Sequence, residues 1–279
     1  MDSYAYYNGS FGKYSDITVP LSDRAIYFGD AIYDAAIGSY DRILWEEEHI
    51  NRFLLNAESV GIDHNFTAKY LSSLLKEIAV KSMMKCYFIY FQISRSLPHR
   101  THSSLGAKAN LLITVNPIKI DPPSKKLALI TVSDKRFSYC HIKTTNLLPS
   151  VIASTKAEKA GCDEAIFVRG KYVTECAKSN ISILNDGRLI THPKNNRILP
   201  GIAREHLLIT CKAIGIPFYE RPFTVKEMLF ADEILVTSTT KLCKSVNRIN
   251  GMQVGGKSPE TAESICKKMH EEFKNYCHL

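Results

Sequence analysis

Lys143 stands in Ile142-Lys143-Thr144-Thr145-Asn146-Leu147-Leu148, flanked by apolar residues where a surface lysine would have polar company. A partly desolvated lysine gives up its proton more readily and can bond a carbonyl carbon as a Schiff base; plain solvated decoration is the alternative. Glu175 ends the strand-like Tyr172-Val173-Thr174 and is followed by Cys176-Ala177-Lys178-Ser179-Asn180. Its carboxylate can face a protonated ring nitrogen, or simply pair with Lys178. Three features could hold a phosphate. Gly201-Ile202-Ala203 opens a helix, whose unpaired N–H groups and positive dipole end attract an anion. Ser238-Thr239-Thr240 follows a buried-looking strand, and Arg52 offers a fixed charge in the helix after Trp45. A helix start, a polar turn and a solvated arginine would account for each alone. Arg100 and His102 alternate in an extended segment after Pro98, so both can converge on one carboxylate, an exposed loop being the plain alternative. No Walker or GxGxxG pattern is present.

These residues need a scaffold, and the pattern of apolar positions supplies one. Asn8-Gly9 sets a hairpin between strands over 4–7 and 11–14, and further strands are expected over 31–40 and 43–45. Ile50, Phe53, Leu54 and Ala57 recur at helical spacing within 46–60, as do Leu71, Leu74, Leu75 and Ile78 in a second helix. Strands over 85–94 and 109–115 complete this part. Pro117, Pro122 and Pro123 then break both periodicities. The expected organisation is therefore a smaller N-terminal domain over 1–118, a linker over 119–125 and a larger C-terminal domain over 126–279. In the latter, strands over 127–132, 164–168, 172–175, 181–184, 189–191 and 233–236 alternate with helices over 150–160 and from about 201. An Asn250-Gly251 hairpin and a helix opening at Ser258-Pro259 finish the chain.

With 279 residues and 45% hydrophobic content, the chain can bury at least one real core, and disorder is excluded. No apolar run approaches the roughly 18 residues of a membrane span, and the first residues lack a secretory layout, so a soluble cytoplasmic protein without a membrane partner is expected. The eight cysteines show no CxxC pair, which argues for free thiols and against a metal site. The net charge of +8 is not concentrated in any block, so nucleic acid is not an expected partner. A positive field of this kind favours small anionic substrates.

The segments Ile142-Lys143-Thr144-Thr145-Asn146-Leu147-Leu148, Gly161-Cys162-Asp163-Glu164-Ala165, Val173-Thr174-Glu175 with Ser179-Asn180, and Thr191-His192-Pro193 occur in one order along the chain. In them the sequence resembles the fold-type IV pyridoxal phosphate transaminases, and within these the D-amino-acid (D-alanine) aminotransferases. The likeness runs from Asp23-Arg24-Ala25-Ile26-Tyr27-Phe28-Gly29-Asp30 to Val236-Thr237-Ser238-Thr239-Thr240. It implies an α+β fold of two mixed domains with pyridoxal 5'-phosphate between them, the C-terminal one binding the cofactor. Lys143 would anchor the cofactor and act as the general base, and Glu175 would keep the pyridine nitrogen protonated. Arg52, Ile202, Ala203, Ser238 and Thr239 would form the phosphate cup, and Leu199 would pack on the ring. Tyr33 with Arg100 and His102, the latter pair from the opposite subunit of a homodimer, would trap the substrate carboxylate. The implied reaction is ping-pong transfer of an amino group between a D-amino acid and a 2-oxo acid such as 2-oxoglutarate. An L-branched-chain transaminase, an aminodeoxychorismate lyase or a non-catalytic binding protein on the same fold are the alternatives. Four positions depart from the family pattern: Ala203 for threonine, Asp34 for glutamate, Ala31 for glycine, and Lys178 for a small hydroxyl residue, where a cation would compete for Glu175.

Overall fold

The computed structural model describes residues 3–278; Met1, Asp2 and Leu279, the outer ends of the expected domains, lie outside them. The chain divides into two units: Met1–Lys119 with Ile142–Asn146 and Lys274–Leu279, and Ile120–His141 with Leu147–Phe273.

The first unit begins with β1 (Tyr4–Tyr7) and β2 (Ser10–Lys13), joined by Asn8 and Gly9 at φ +46° and +98°. A five-residue helix, α1 (Arg24–Phe28), follows, capped by the Asp23 side chain, which accepts from the Ala25 N–H. No apolar period announces so short an element, and the sequence reading missed it. Next come β3 (Ala31–Ser39), β4 (Arg42–Ile43), α2 (Glu46–Ser59), α3 (Ala68–Lys81), β5 (Tyr87–Ser96) and β6 (Lys108–Pro117). The strand expected over 43–45 stops at Ile43. Leu44 still donates its N–H to Ile37 O, but Trp45 adopts φ +53° and turns the chain into α2. The strands pair antiparallel in the order β2-β1-β6-β5-β3-β4. Ile50, Phe53 and Ala57 of α2 and Leu71, Leu75 and Ile78 of α3 form one core with Ile89, Phe91, Ile113 and Val115 of the sheet. Burial of these stripes, each side chain contributing about 1.5–3 kcal/mol, holds both helices on one face.

The second unit runs β7 (Leu127–Ser133), α4 (Leu148–Lys159), β8 (Glu164–Arg169), β9 (Tyr172–Cys176), β10 (Asn180–Asn185), β11 (Arg188–Thr191) and α5 (Ile202–Ala213). It continues through β12 (Phe218–Glu220), β13 (Phe223–Thr224), α6 (Val225–Phe230), β14 (Glu233–Ser238), β15 (Leu242–Ile249), β16 (Met252–Gln253) and α7 (Pro259–Cys277), whose residues from Lys274 on belong to the first unit. The strand order is β12-β11-β10-β14-β15-β7-β8-β9-β13, with β16 on β15. β7 pairs parallel with both β8 and β15, whereas β10 is antiparallel to β11 and β14. From Asn180 to Leu184 every residue of β10 is buried, as expected of a strand covered on both faces.

Candidate active site

The sequence placed Lys143 in the C-terminal domain, but Ile142–Asn146 folds with the first unit, because its backbone is tied to the start of β3. Thr144 bridges Ile32, Tyr33 N–H donates to Lys143 O (2.9 Å), and Thr145 N–H donates to Ala31 O (3.1 Å). The Asn146 amide donates to Gly29 O (2.9 Å), and a Cβ at Gly29 would lie 2.8 Å from Asn146 Oδ1 at a φ of +58°. Glycine is thus required there both by the left-handed backbone and by the asparagine lying against it. Lys143 itself is half-buried. Its Nζ lies 4.5 Å from the centre of the Tyr33 ring, and among the described residues it has no hydrogen bond or ion pair. Tyr33 is stacked in turn on Tyr90 at 5.1 Å.

Asp34, next along β3, is fully buried and binds Arg52 in a fork: Arg52 Nε donates to Oδ2 (2.7 Å) and Nη2 to Oδ1 (2.8 Å). His49 Nδ1 lies 2.7 Å from the same Oδ1. Burial works against the Asp34 charge, but Arg52 and His49 hold the carboxyl far below its usual range. Burial also pushes the His49 imidazole down, against the pull of Asp34, so the ring is neutral and donates from Nδ1. Its Nε2 is then an acceptor, buried and unpartnered. Arg52 is therefore held in place by the shorter Asp34. Arg100 and His102 are exposed elsewhere on this unit, against Phe28 of α1, with no hydrogen bond or ring contact to Tyr33 among the described residues.

In the second unit the centre is Glu175, 5% exposed on β9. Its Oε2 accepts from Asn180 Nδ2 (3.0 Å) and from the Leu199 N–H (3.0 Å), and its Oε1 pairs with Arg136. Asn180 Nδ2 also donates to Leu199 O (2.9 Å), and a Cβ at Gly201 would lie 2.0 Å from Asn180 Oδ1. Glu175, Leu199 and the start of α5 are thus locked together through one asparagine. No side chain caps α5, which leaves the first-turn N–H groups of Ile202 and Ala203 to receive an anion. Ser238 ends β14, the neighbour of β10, and its Oγ accepts from the Lys241 N–H (3.2 Å); Thr239 follows it.

The cation at Glu175 is Arg136, which the sequence reading missed. Arg136 leaves the end of β7 two residues after Asp134, pairs with Asp134 (3.0 Å) and stacks on Phe167 at 4.3 Å. Glu175 and Asp134 hold its charge against burial. The signal was present in Asp134-Lys135-Arg136, a charged run directly after an apolar strand. Lys178, expected to compete for Glu175, instead turns its side chain to solvent. Among the described residues only its backbone N–H is engaged, by Glu164 Oε1 (2.7 Å), and the ammonium near Glu164 is that of Lys241 (2.8 Å).

Each unit carries groups that suit pyridoxal phosphate: the first an amine with no hydrogen bond or ion pair among the described residues, the second a buried carboxylate of fixed orientation, an uncapped helix start and hydroxyl residues at the end of β14. Comparison with known proteins agrees. The sequence pattern described as amino-transferase class IV matches residues 32–249. A D-alanine aminotransferase of Staphylococcus epidermidis is 34% identical over 276 residues, covering 97% of this chain and 96% of the relative. The D-alanine aminotransferase of Bacillus licheniformis is 34% identical over 258 residues, covering 91% and 90%. Among solved structures, a branched-chain aminotransferase of Thermoproteus uzoniensis with norvaline has a TM-score of 0.89 at 22% identity, covering 99% of this chain and 97% of the other. The branched-chain amino acid aminotransferase of Thermobaculum terrenum in its PLP-bound holo-form has a TM-score of 0.86 at 17% identity, covering 99% and 95%. The fold is thus fold-type IV, and with the class pattern spanning most of its length the chain belongs to the class IV aminotransferases.

Proposed function

We propose that this protein is a pyridoxal-phosphate-dependent transaminase that moves the amino group between a D-amino acid of the D-alanine type and a 2-oxo acid such as 2-oxoglutarate. The observation that carries the reading is the Lys143 amine, seated on the Tyr33 ring with no hydrogen bond or ion pair to the described residues. The relatives named D-alanine aminotransferase support the handedness, as does the presence of Tyr33, Arg100 and His102 in one chain.

Bound, the cofactor supplies an electron sink for the pair left at the substrate α-carbon. Lys143 Nζ would anchor it, carry the α-proton from the substrate to the cofactor within the first half of the ping-pong cycle, and carry a proton back to the α-carbon of the second substrate in the other half. Glu175, fixed beside Arg136, holds a proton on the ring nitrogen, and Leu199 packs on the ring. Arg52, the Ile202 and Ala203 N–H groups, Ser238 and Thr239 hold the phosphate. Tyr33, Arg100 and His102 take the substrate carboxylate, which fixes the hydrogen presented to Lys143.

Arg100 and His102 serve the site of a second copy, so the active species is a homodimer. Leu148, Val151 and Ile152 of α4 are 70%, 56% and 50% exposed, an apolar strip of the kind that subunit association covers. Eight free thiols support placement in the cytoplasm, and no helix among the described residues is long and apolar enough to cross a membrane.

The test is the visible spectrum of cofactor-loaded, desalted protein before and after D-alanine, L-alanine or L-leucine. Loss of the visible band with D-alanine alone supports the reading. A change with only an L-amino acid assigns the other handedness, and no band after loading overturns the catalytic reading. Lys143→Ala should abolish the band.

A further inference from the structure

We infer that the short helix α1 is the positioning element for substrate recognition: Arg24 fixes the backbone of the segment bearing Arg100 and His102, and Phe28 orients their side chains. This rests on the proposed role of Arg100 and His102 at the substrate carboxylate.

Arg24 is 4% exposed, which for an arginine requires that its charge and donors be met. Its Nε donates to Asp30 Oδ2 (2.7 Å). Both terminal nitrogens donate to one stretch of main chain: Nη1 to the carbonyls of Thr101 and Ser103, and Nη2 to the carbonyl of His102 (2.9 Å). Three consecutive carbonyls therefore end on a single guanidinium, from a segment with little regular secondary structure of its own. Asp30 passes the restraint on. Arg95 of β5 grips its carboxylate and donates onward to Val60 O (3.3 Å) and Gly61 O (3.0 Å), just beyond α2. Burial opposes the Asp30 charge, but hydrogen bonds and charge from Arg95 and Arg24 keep its carboxyl below the usual range. The segment is thus anchored to the sheet and to a helix end through an arginine–aspartate–arginine chain.

The cavity of about 310 Å³ beside these groups is not an anion site, although Arg24, Arg95 and His102 line it. Every guanidinium nitrogen of both arginines already donates to Asp30 or to a backbone carbonyl.

With the backbone held from inside, the side chains at 100 and 102 come to rest on Phe28. The Arg100 guanidinium is 4.8 Å from the Phe28 ring centre and the His102 ring is 5.3 Å from it; Arg24 contacts the same ring at 4.7 Å. A guanidinium stacked on an aromatic face keeps its planar N–H edge for a carboxylate. Among the described residues no protein group takes that edge of Arg100, which is exposed. Lysine cannot replace Arg24, since three tetrahedral donors cannot serve Asp30 and three carbonyls together.

The experiment compares Arg24→Lys, Phe28→Leu and Arg100→Ala in the cofactor-loaded enzyme, reading KM and kcat for D-alanine, thermal midpoint, cofactor retention and hydrogen exchange over 97–107. Arg24→Lys should raise KM about tenfold with kcat within about threefold, and should speed amide exchange in 97–107. Phe28→Leu should raise KM by roughly three- to tenfold with the exchange unchanged. If Arg24→Lys fails to fold, Phe28→Leu decides. The inference is overturned if Arg100→Ala raises KM while neither α1 variant does, or if Arg24→Lys loses kcat and cofactor together, as a purely structural residue would. No effect of Arg100→Ala on KM would instead sink the carboxylate assignment on which it stands.

Discussion

Glu175 and the Arg100–His102 pair are held in opposite ways. Glu175 is fixed through its side chain, in a buried cradle of Arg136, Asn180 and the Leu199 N–H. Arg100 and His102 are fixed through the backbone of their segment, which Arg24 grips, while their side chains stay exposed on an aromatic ring. The difference follows what each would meet. A cofactor ring stays through every turnover, so its partner can be desolvated and permanently paired. A substrate enters and leaves, so its partner must keep a solvated, unoccupied donor edge. Burying an ion pair costs several kcal/mol of desolvation, which only a fixed and fully hydrogen-bonded geometry offsets.

The contrast breaks most sharply at Glu175. Glu175→Gln keeps the shape but removes the charge opposite the ring nitrogen, and should lower kcat about 100-fold with a much smaller change in KM. It also strips Arg136 of one of its two carboxylates, so the thermal midpoint should fall. Adding Arg136→Met should lower the thermal midpoint further and restore none of the kcat, since it takes the forked arginine away from fully buried Asp134. Stopped-flow turnover and calorimetry on the two single variants and the double variant check this. Recovery of kcat in the double variant would mean that Glu175 matters only for Arg136.

At the exposed end the effect should be smaller and of another kind. Arg100→Ala should raise KM for D-alanine about tenfold while leaving the thermal midpoint within roughly 1 °C, because an exposed guanidinium on a ring adds little to folding. A fall of several degrees would erase the distinction between the two modes of support.

The acid limb of stability reports mainly on the buried pairs. The carboxyls of Asp30, Asp34 and Asp134 are each held below their usual range by arginines, against burial. Their stabilisation is complete above the unfolded-state value near 4 and is lost as pH falls toward the folded value. Thermal midpoints should decline gently as pH falls below about 6.5, where the unfolded chain takes protons that burial denies His49 and His192, and drop steeply below about pH 4. Asp34→Asn should shallow that slope, whereas Arg100→Ala should leave it unchanged.

Legibility in the sequence divides along similar lines. The long apolar stripes of α2 and α3 and the Asn-Gly turn could be read directly, because burial and φ preference are local properties of residue type. The α1 helix could not, since five residues carry no period, and what holds it is Asp23 and the partners of Arg24 across 77 to 79 positions of chain. Lys143, Glu175 and Arg52 stood out by their local sequence before any likeness was drawn, but the contacts that fix two of them, from Arg136 to Glu175 and from Asp34 and His49 to Arg52, join different elements and no local pattern shows them. Assigning 142–146 to the C-terminal part failed for the same reason: its partners are on β3, more than a hundred residues earlier.

The smallest effect is expected where the sequence alone suggested a large one. Lys178 follows Glu175 by three positions, and a cation there would draw the carboxylate away from a ring nitrogen. The chain direction prevents it. Glu175 lies on β9 with its carboxylate turned to Arg136 and Asn180, and by 178 the backbone has turned toward Glu164, which takes the Lys178 N–H and the Ser179 hydroxyl. Glu164 already has its own ammonium in Lys241, so the Lys178 side chain finds no buried anion and stays in water. Lys178→Ser should therefore leave kcat, KM and the thermal midpoint unchanged, within about twofold for the rates, as exposed substitutions usually do. A several-fold rise in kcat or in cofactor retention would show that Lys178 reaches Glu175 in the working enzyme, and that the buried cradle is less closed than its hydrogen bonds imply.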